Sequence, residues 1–165
     1  LGSRWDLTAF SALIMKTATV NNLIIRKASL EEILQVHQLI PEFSDEVSLG
    51  FYIRRLENLV HLALVADVNG ELVGFKVGYQ NDRTETFYSW MGGVIPEFRK
   101  FGVARALADA QESWARENGF KDSFFKTRNR FPAMISFGLK RGFKIVKVIQ
   151  KGGVEDYRIV MMKSL

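Results

Sequence analysis

The stretch Val94-Ile95-Pro96-Glu97-Phe98-Arg99-Lys100-Phe101-Gly102-Val103-Ala104 decides how this chain reads. An apolar strand runs into a short loop with one glycine, and a long amphipathic helix follows. Loops of this build bind phosphates through backbone N–H groups and the positive end of the helix dipole. The spacing is Arg-x-x-Gly-x-Ala. A dinucleotide-binding turn needs Gly-x-Gly-x-x-Gly, and an NTPase loop needs Gly-Lys-Ser/Thr. Neither occurs in this chain. Gly102 lets backbone approach an anion without a Cβ in the way. Ala104 keeps the first helical turn close to the strand, and Arg99 and Lys100 add positive charge.

Working outward, Val103, Leu107, Ala110 and Trp114 fall on one helical stripe, and Gly119 supplies a stop. A strand Thr86–Ile95 precedes this helix and a strand Ser123–Thr127 follows it. A strand-helix-strand unit of this length makes a right-handed parallel crossover. Upstream, strands Leu62–Val68 and Leu72–Gln80 are joined by Asn69-Gly70, a hairpin signal. Before them lie a strand Leu23–Lys27 and helices Leu30–Leu39 and Glu46–Asn58, with Ser29 and Glu32 as a capping box. Downstream, Pro132 opens a helix that Gly142 ends. Strands Phe143–Ile149 and Tyr157–Met162 follow, separated by the turn Lys151-Gly152-Gly153. The order is β-α-α-β-β-β-α-β-α-β-β. The predicted fold class is α/β (α+β), one domain with a mixed, mostly antiparallel central sheet and helices on both faces.

Bulk properties narrow the function. The 165 residues suit a single domain. No cysteine is present, which excludes disulfides, thiolate zinc sites and a cysteine nucleophile. His37 and His61 stand alone in sequence, so no metal is expected. The net charge of +5 is spread without a run of five basic residues, and no nucleic-acid recognition motif accompanies it. Residues 1–14 read as an introduced or disordered segment: Gly2-Ser3 looks like a cloning scar, and Met15 is the expected natural start of a domain spanning 15–165. Their apolar run is too short to span a bilayer and lacks the pattern of a signal peptide. A cytoplasmic protein with no nucleic-acid or membrane partner is expected.

The loop spacing, its flanking strand and helix, and the later Arg141-Gly142-Phe143 resemble the GCN5-related N-acetyltransferase (GNAT) family over roughly residues 22–165. That family's acyl-CoA pyrophosphate loop reads Arg/Gln-x-x-Gly-x-Gly/Ala. The resemblance implies an acyl-CoA N-acyltransferase fold and acetyl-CoA as co-substrate. The implied reaction moves an acetyl group to a primary amine of a small molecule or protein, and a homodimer is an assembly it allows. It carries cofactor contacts onto Val94, Arg99, Lys100, Phe101, Gly102, Val103 and Ala104. It also carries the pantetheine arm onto the strand end at Trp90-Met91-Gly92-Gly93-Val94, where paired glycines suit a bulge or close approach. Val94 is the family-based donor to the thioester oxygen. Asn129 is a further cofactor contact or, equally, a plain turn residue.

The chemistry is less legible. An amine of pKa about 10.4 must lose a proton before it attacks. Glu85 lies eight residues before Gly93, about 26 Å along an extended strand, too far to take it. Ser89 is nearer and is the candidate to hold a water. The acidic segment Pro41–Glu46 lies where the family builds its acceptor pocket, so Glu46 and Trp90 are candidate substrate contacts or simple solvent-exposed and core residues. The family's final-helix tyrosine, in Tyr-x-x-x-Gly-Phe, is replaced here by Gly138. Of the four tyrosines only Tyr52 and Tyr88 are placed to reach the site. Two readings stand: an active N-acetyltransferase, and a catalytically weak acyl-CoA-binding sensor or scaffold domain.

Overall fold

The computed structural model describes residues 22–43, 45–82 and 84–165. The segment 1–14, expected to be foreign to the domain, lies outside them. Among the described residues seven strands form one sheet: β1 (Leu23–Lys27), β2 (His61–Val68), β3 (Glu71–Gln80), β4 (Thr86–Val94), β5 (Asp122–Arg128), β6 (Lys144–Ile149) and β7 (Arg158–Ser164). The helices are α1 (Leu30–His37), α2 (Leu49–Leu56), α3 (Val103–Glu117) and α4 (Pro132–Lys140). The strands lie in the order β1-β2-β3-β4-β5-β7-β6. Every pair is antiparallel except β4–β5, the pair joined through α3.

Local chemistry explains the boundaries. Val68 pairs with Glu71 across Asn69-Gly70, and both turn residues have positive φ, 53° and 87°. That is the primed turn whose twist matches the strands. Ser29 and Glu32 form the capping box at α1, worth about 1 kcal/mol. Gly119 and Gly142 follow α3 and α4 in the left-handed region, at φ 85° and 86°. Among the ends that differ from the sequence reading, three have a plain local cause. Helix α1 stops at His37, and Leu39 and Ile40 make tighter turns, Leu39 N–H to the Val36 carbonyl and Ile40 N–H to the His37 carbonyl. Helix α2 starts at Leu49 because Ser48 is extended and occupies its N-cap. Strand β4 ends at Val94, where Pro96 opens a 3₁₀ turn.

Alternation along β3 assigns the two faces. Phe75 packs with His37 and Phe43 beneath α1. A Cβ on its neighbour Gly74 would instead meet Leu107 and Val103 of α3, each at 3.2 Å. Helices α1 and α2 therefore cover one face, tied together by His37 and Tyr52, while α3 covers the other. Helix α4 sits beside α3, since side chains from both line one cavity. The buried line of α3 is Val103, Leu107, Gln111 and Ala115, with Ala108 and Glu112 beside it. Ala110 and Trp114, expected on that line, are only half-buried on its flank.

Candidate functional site

Strands β4 and β5 pair only from Thr86 opposite Asp122 to Tyr88 opposite Phe124. Beyond that point β4 stays with β3 and β5 with β7. The sheet opens there into a fork with Tyr88 and Phe124 at its base. The N–H of Ile95 donates to the Val73 carbonyl at 2.9 Å. Antiparallel pairs alternate between hydrogen-bonded and non-bonded, and the register sets Val94 against Gly74 and Gly92 against Lys76. Gly92 and Val94 thus turn their N–H and C=O groups away from β3 and into the fork. Such an edge accepts a thin, amide-bearing chain as an added strand. Val77 faces Met91 while Gly78 faces Ser89, so the bulge lies at Trp90 rather than at the glycine pair. Gly93 instead makes room for Ile40, whose Cδ1 would lie 2.5 Å from an added Cβ.

The fork leads into the Gly102 loop. Lys100 and Gly102 both have positive φ, 65° and 84°, which turns successive N–H groups toward one side. Gly102 is the N-cap of α3, and no side chain caps that end. The first-turn N–H groups and the helix dipole are left to an anion. An added Cβ at Gly102 would touch nothing within 4 Å, so glycine is required there for its backbone angle alone. Val103 is buried, Phe101 half-buried, and Lys100 and Ala104 exposed. Arg99 is already engaged. Its Nε donates to the Val94 carbonyl at 2.9 Å, and its two Nη atoms donate to Glu42 at 2.6 and 2.8 Å. This pairing holds the Glu42 carboxyl below its ordinary range and ties the α1–α2 connection to the mouth of the fork.

On the α3–α4 face a cavity of about 20 Å³ lies against the base of the fork, enough for one water-sized group. Lys76, Ser89, Gln111, Glu112, Ser123, Gly138 and Arg141 are among its walls. Apolar side chains such as Phe125, Met134 and Phe143 complete the lining, and its polar walls are buried among them: Ser123 is 3% exposed and Gln111 1%. Gln111 Nε2 has no hydrogen-bond partner among the described residues. The Glu112 carboxylate is taken up by Arg141 at 2.9 Å and by Lys163. Burial, then the Arg141 charge, push Lys76 down to about 8 against the pull of Glu112.

A family model described as the acetyltransferase (GNAT) family matches residues 29–143. The chain belongs to the GNAT acetyltransferase family. An acetyltransferase of Pectobacterium atrosepticum is 34% identical over 100 residues, 60% of this chain and 69% of that protein. Among solved structures, Ard1 from Thermoplasma volcanium is 24% identical with a TM-score of 0.74, covering 87% of this chain and 98% of its own. The ribosomal-protein-S18-alanine N-acetyltransferase of Escherichia coli is 15% identical with the same TM-score of 0.74, covering 86% and 93%. A coenzyme A complex of the Thermoplasma acidophilum PaiA N-acetyltransferase is 19% identical at a TM-score of 0.65, covering 87% and 99%. At these identities the structural likeness establishes the fold.

GNAT membership gives the remaining residues their context. The family's tyrosine position, Gly138, has no room for one: an added Cβ would lie 2.6 Å from Phe125 Cζ and 3.0 Å from Met161 Cε. Tyr52 is buried with its hydroxyl 2.7 Å from His37 Nδ1, and burial raises its pKa. Tyr88 stacks on Phe124 at 4.5 Å, and burial pushes it up to about 12. Trp90 packs among Phe51, Tyr52 and Tyr79, with the Arg55 guanidinium 5.1 Å from its ring centre. Ser89 lies on the opposite face, in the cavity wall. Glu46 is exposed. Asn129 donates to the Val154 carbonyl at 2.8 Å, pinning the turn after β5. Glu85 pairs with Lys121 at 2.7 Å. No cluster of three metal-ligating side chains forms among the described residues, and no helix there is long and apolar enough to cross a membrane.

Sequence reasoning missed Lys76, Gln111, Glu112 and Arg141. A signal existed for Gln111: the i, i+4 ladder from Val103 through Leu107 to Ala115 passes through it.

Proposed function

We propose that this protein transfers the acetyl group of acetyl-CoA to a primary amine carried by a small molecule or a protein. The observation that carries this reading is the fork: outward-turned amides of Gly92 and Val94 lead from an uncapped helix N-terminus to the point where β4 and β5 rejoin. The pyrophosphate fits the Lys100–Ala104 turn, where backbone N–H groups and the α3 dipole meet its charge. The pantetheine amides fit the edge of β4, and the Val94 or Gly92 N–H is placed to bond the thioester oxygen as charge develops. Arg99 shapes the mouth through Glu42 and the Val94 carbonyl.

The acceptor comes from the opposite face, where Trp90, Tyr88 and Phe124 form an aromatic floor at the base of the fork. Glu46, exposed on the connection ahead of α2, attracts a cationic amine. Removing the proton of a lysine-like amine at pH 7 costs about 4–5 kcal/mol. An apolar floor lowers that cost by disfavouring the ammonium, and the proton leaves to solvent on the acceptor side. Incubation with acetyl-CoA and a panel of amines and peptides, read by thiol release and by the mass of the product, tests the proposal. At least one amine is expected to gain an acetyl group. Thiol release that stays at the solvent background across the panel overturns it.

A further inference from the structure

We propose that Lys76, reaching the cavity between α3 and α4 at the base of the β4–β5 fork, is the proton donor to the departing coenzyme A thiolate. The inference rests on the transferase reading above and adds to it the acid that this chain's last helix lacks.

Lys76 lies on β3, two strands from β5. It nevertheless shares a cavity with Ser123 and Phe125 of β5, so its side chain crosses β4. Gly92 permits the crossing: it stands opposite Lys76, and a Cβ on it would lie 3.4 Å from Lys76 Cγ. An arm laid along the amides of Val94 and Gly92 from the Gly102 loop ends near Ser89, which is a wall of the same cavity. Gly138 faces that cavity from α4, with Phe125 filling the space a tyrosine would need. The acid position is closed from the helix side and open from the β3 side.

The charges around Lys76 leave it able to give a proton. Glu112 faces it from α3 and Arg141 from the end of α4. Asp109 and Lys163 act through these two, Asp109 on Arg141 and Lys163 on Glu112. Burial first, then the Arg141 charge, hold Lys76 near 8 against the pull of Glu112, which is bound to two other cations. A thiol titrates near 8.5, and proton transfer between such matched groups is close to balanced. In the step, the amine nitrogen bonds the acetyl carbon and the C–S bond breaks with its electron pair on sulfur. Sulfur takes a proton from Lys76 Nζ. The surplus proton on the acceptor nitrogen leaves to solvent, and neutral Lys76 regains one from solvent.

The test compares the unaltered full chain with Lys76→Met and Lys76→Arg, using acetyl-CoA and the best amine of the panel. For Lys76→Met, kcat is expected to fall about 10²-fold, the low end for a general acid because a thiolate leaves readily. Acetyl-CoA affinity by calorimetry should stay within about threefold. The unaltered protein should lose turnover as pH rises above about 8, and both variants should lack that limb. Arg keeps the charge but holds its proton, so Lys76→Arg should stay slow. Independently of turnover, ¹³C-dimethylated Lys76, assigned by its absence in Lys76→Met, should titrate near 8. Full turnover in Lys76→Met, rescue by Lys76→Arg, or a Lys76 midpoint near 10.4 overturns the proposal. If the unaltered protein binds acetyl-CoA but acetylates no amine, the transferase reading fails first and this one with it.

Discussion

Replacing Glu112 by Gln leaves two cations, Arg141 and Lys163, facing one another where α3, α4 and β7 meet. The carboxylate accepts from Arg141 Nε at 3.2 Å and Nη2 at 2.9 Å, and from Lys163 Nζ. Its side chain is 10% exposed, and those of Arg141 and Lys163 are 13% and 16%. Removing one partner of a buried ion pair costs about 3–5 kcal/mol. Some of that is recovered here, because Arg141 also reaches Asp109 at 2.8 Å and Lys163 the Arg141 carbonyl at 3.1 Å. The expected loss is therefore about 2–3 kcal/mol, or about 4–12 °C in Tm for a chain of this size. Urea unfolding at pH 7 gives the free energy, and thermal melting followed by circular dichroism gives the Tm. Salt should change the difference little, since the charges are shielded from solvent. The double variant Glu112→Met with Lys163→Met should recover much of the loss, because apolar replacement of both partners is often neutral. A loss below about 0.5 kcal/mol for Glu112→Gln would show that the pairing is screened like a surface ion pair, and the reasoning would fail.

Other expectations follow from single contacts. An added Cβ at Gly78 would lie 2.4 Å from the Phe87 ring and 2.7 Å from the Tyr88 carbonyl, so Gly78→Ala should cost about 1–3 kcal/mol in urea unfolding. A stability equal to that of the unaltered chain would mean that β3 and β4 separate freely. Burial lowers the pKa of His37 from its ordinary 6.5, so the folded state keeps it neutral while the unfolded chain takes up a proton. Stability contributed by His37 is full above pH 6.5 and drains away as pH falls toward the lowered value. Its slope is at most about 1.4 kcal/mol per pH unit. His37→Gln should flatten the stability profile in that window, and an unchanged profile would count against the burial argument. Tyr52→Phe and Tyr88→Phe should each change kcat less than tenfold, under about 1.4 kcal/mol, since one hydroxyl is bound to His37 and the other ring is stacked on Phe124. A larger loss with acetyl-CoA affinity intact would give that tyrosine the acid role.

Punctuation and periodicity made much of this fold legible. Asn69-Gly70, the Ser29–Glu32 box, Pro132 and the glycines after α3 and α4 act over a few residues, so local sequence states them. The strand-loop-helix unit at Val94–Ala104 was legible for the same reason. What depends on distant partners was not. Arg99 reads as a cation beside the phosphate turn, and only the fold shows that Glu42, 57 residues away in sequence, sits on its guanidinium. Lys76 and Glu112 carried no signal in the sequence for the same reason. Both face inward because α4 packs beside α3 and closes over them. The glycine pair allowed either a bulge or a close approach, and only distant contacts choose between them: Gly93 is small for the sake of Ile40, while the extra residue of the bulge is Trp90.

Calorimetric titration with acetyl-CoA reaches the central claim most directly, in the unaltered chain and in Gly102→Asn and Gly102→Asp. Asn and Asp both tolerate the left-handed backbone at φ 84°, so the two variants share its strain and differ by one charge at the phosphate turn. The account predicts one molecule of acetyl-CoA bound per chain and affinity at least tenfold weaker in Gly102→Asp than in Gly102→Asn. No binding to the unaltered chain, or equal affinity in the two variants, would contradict it.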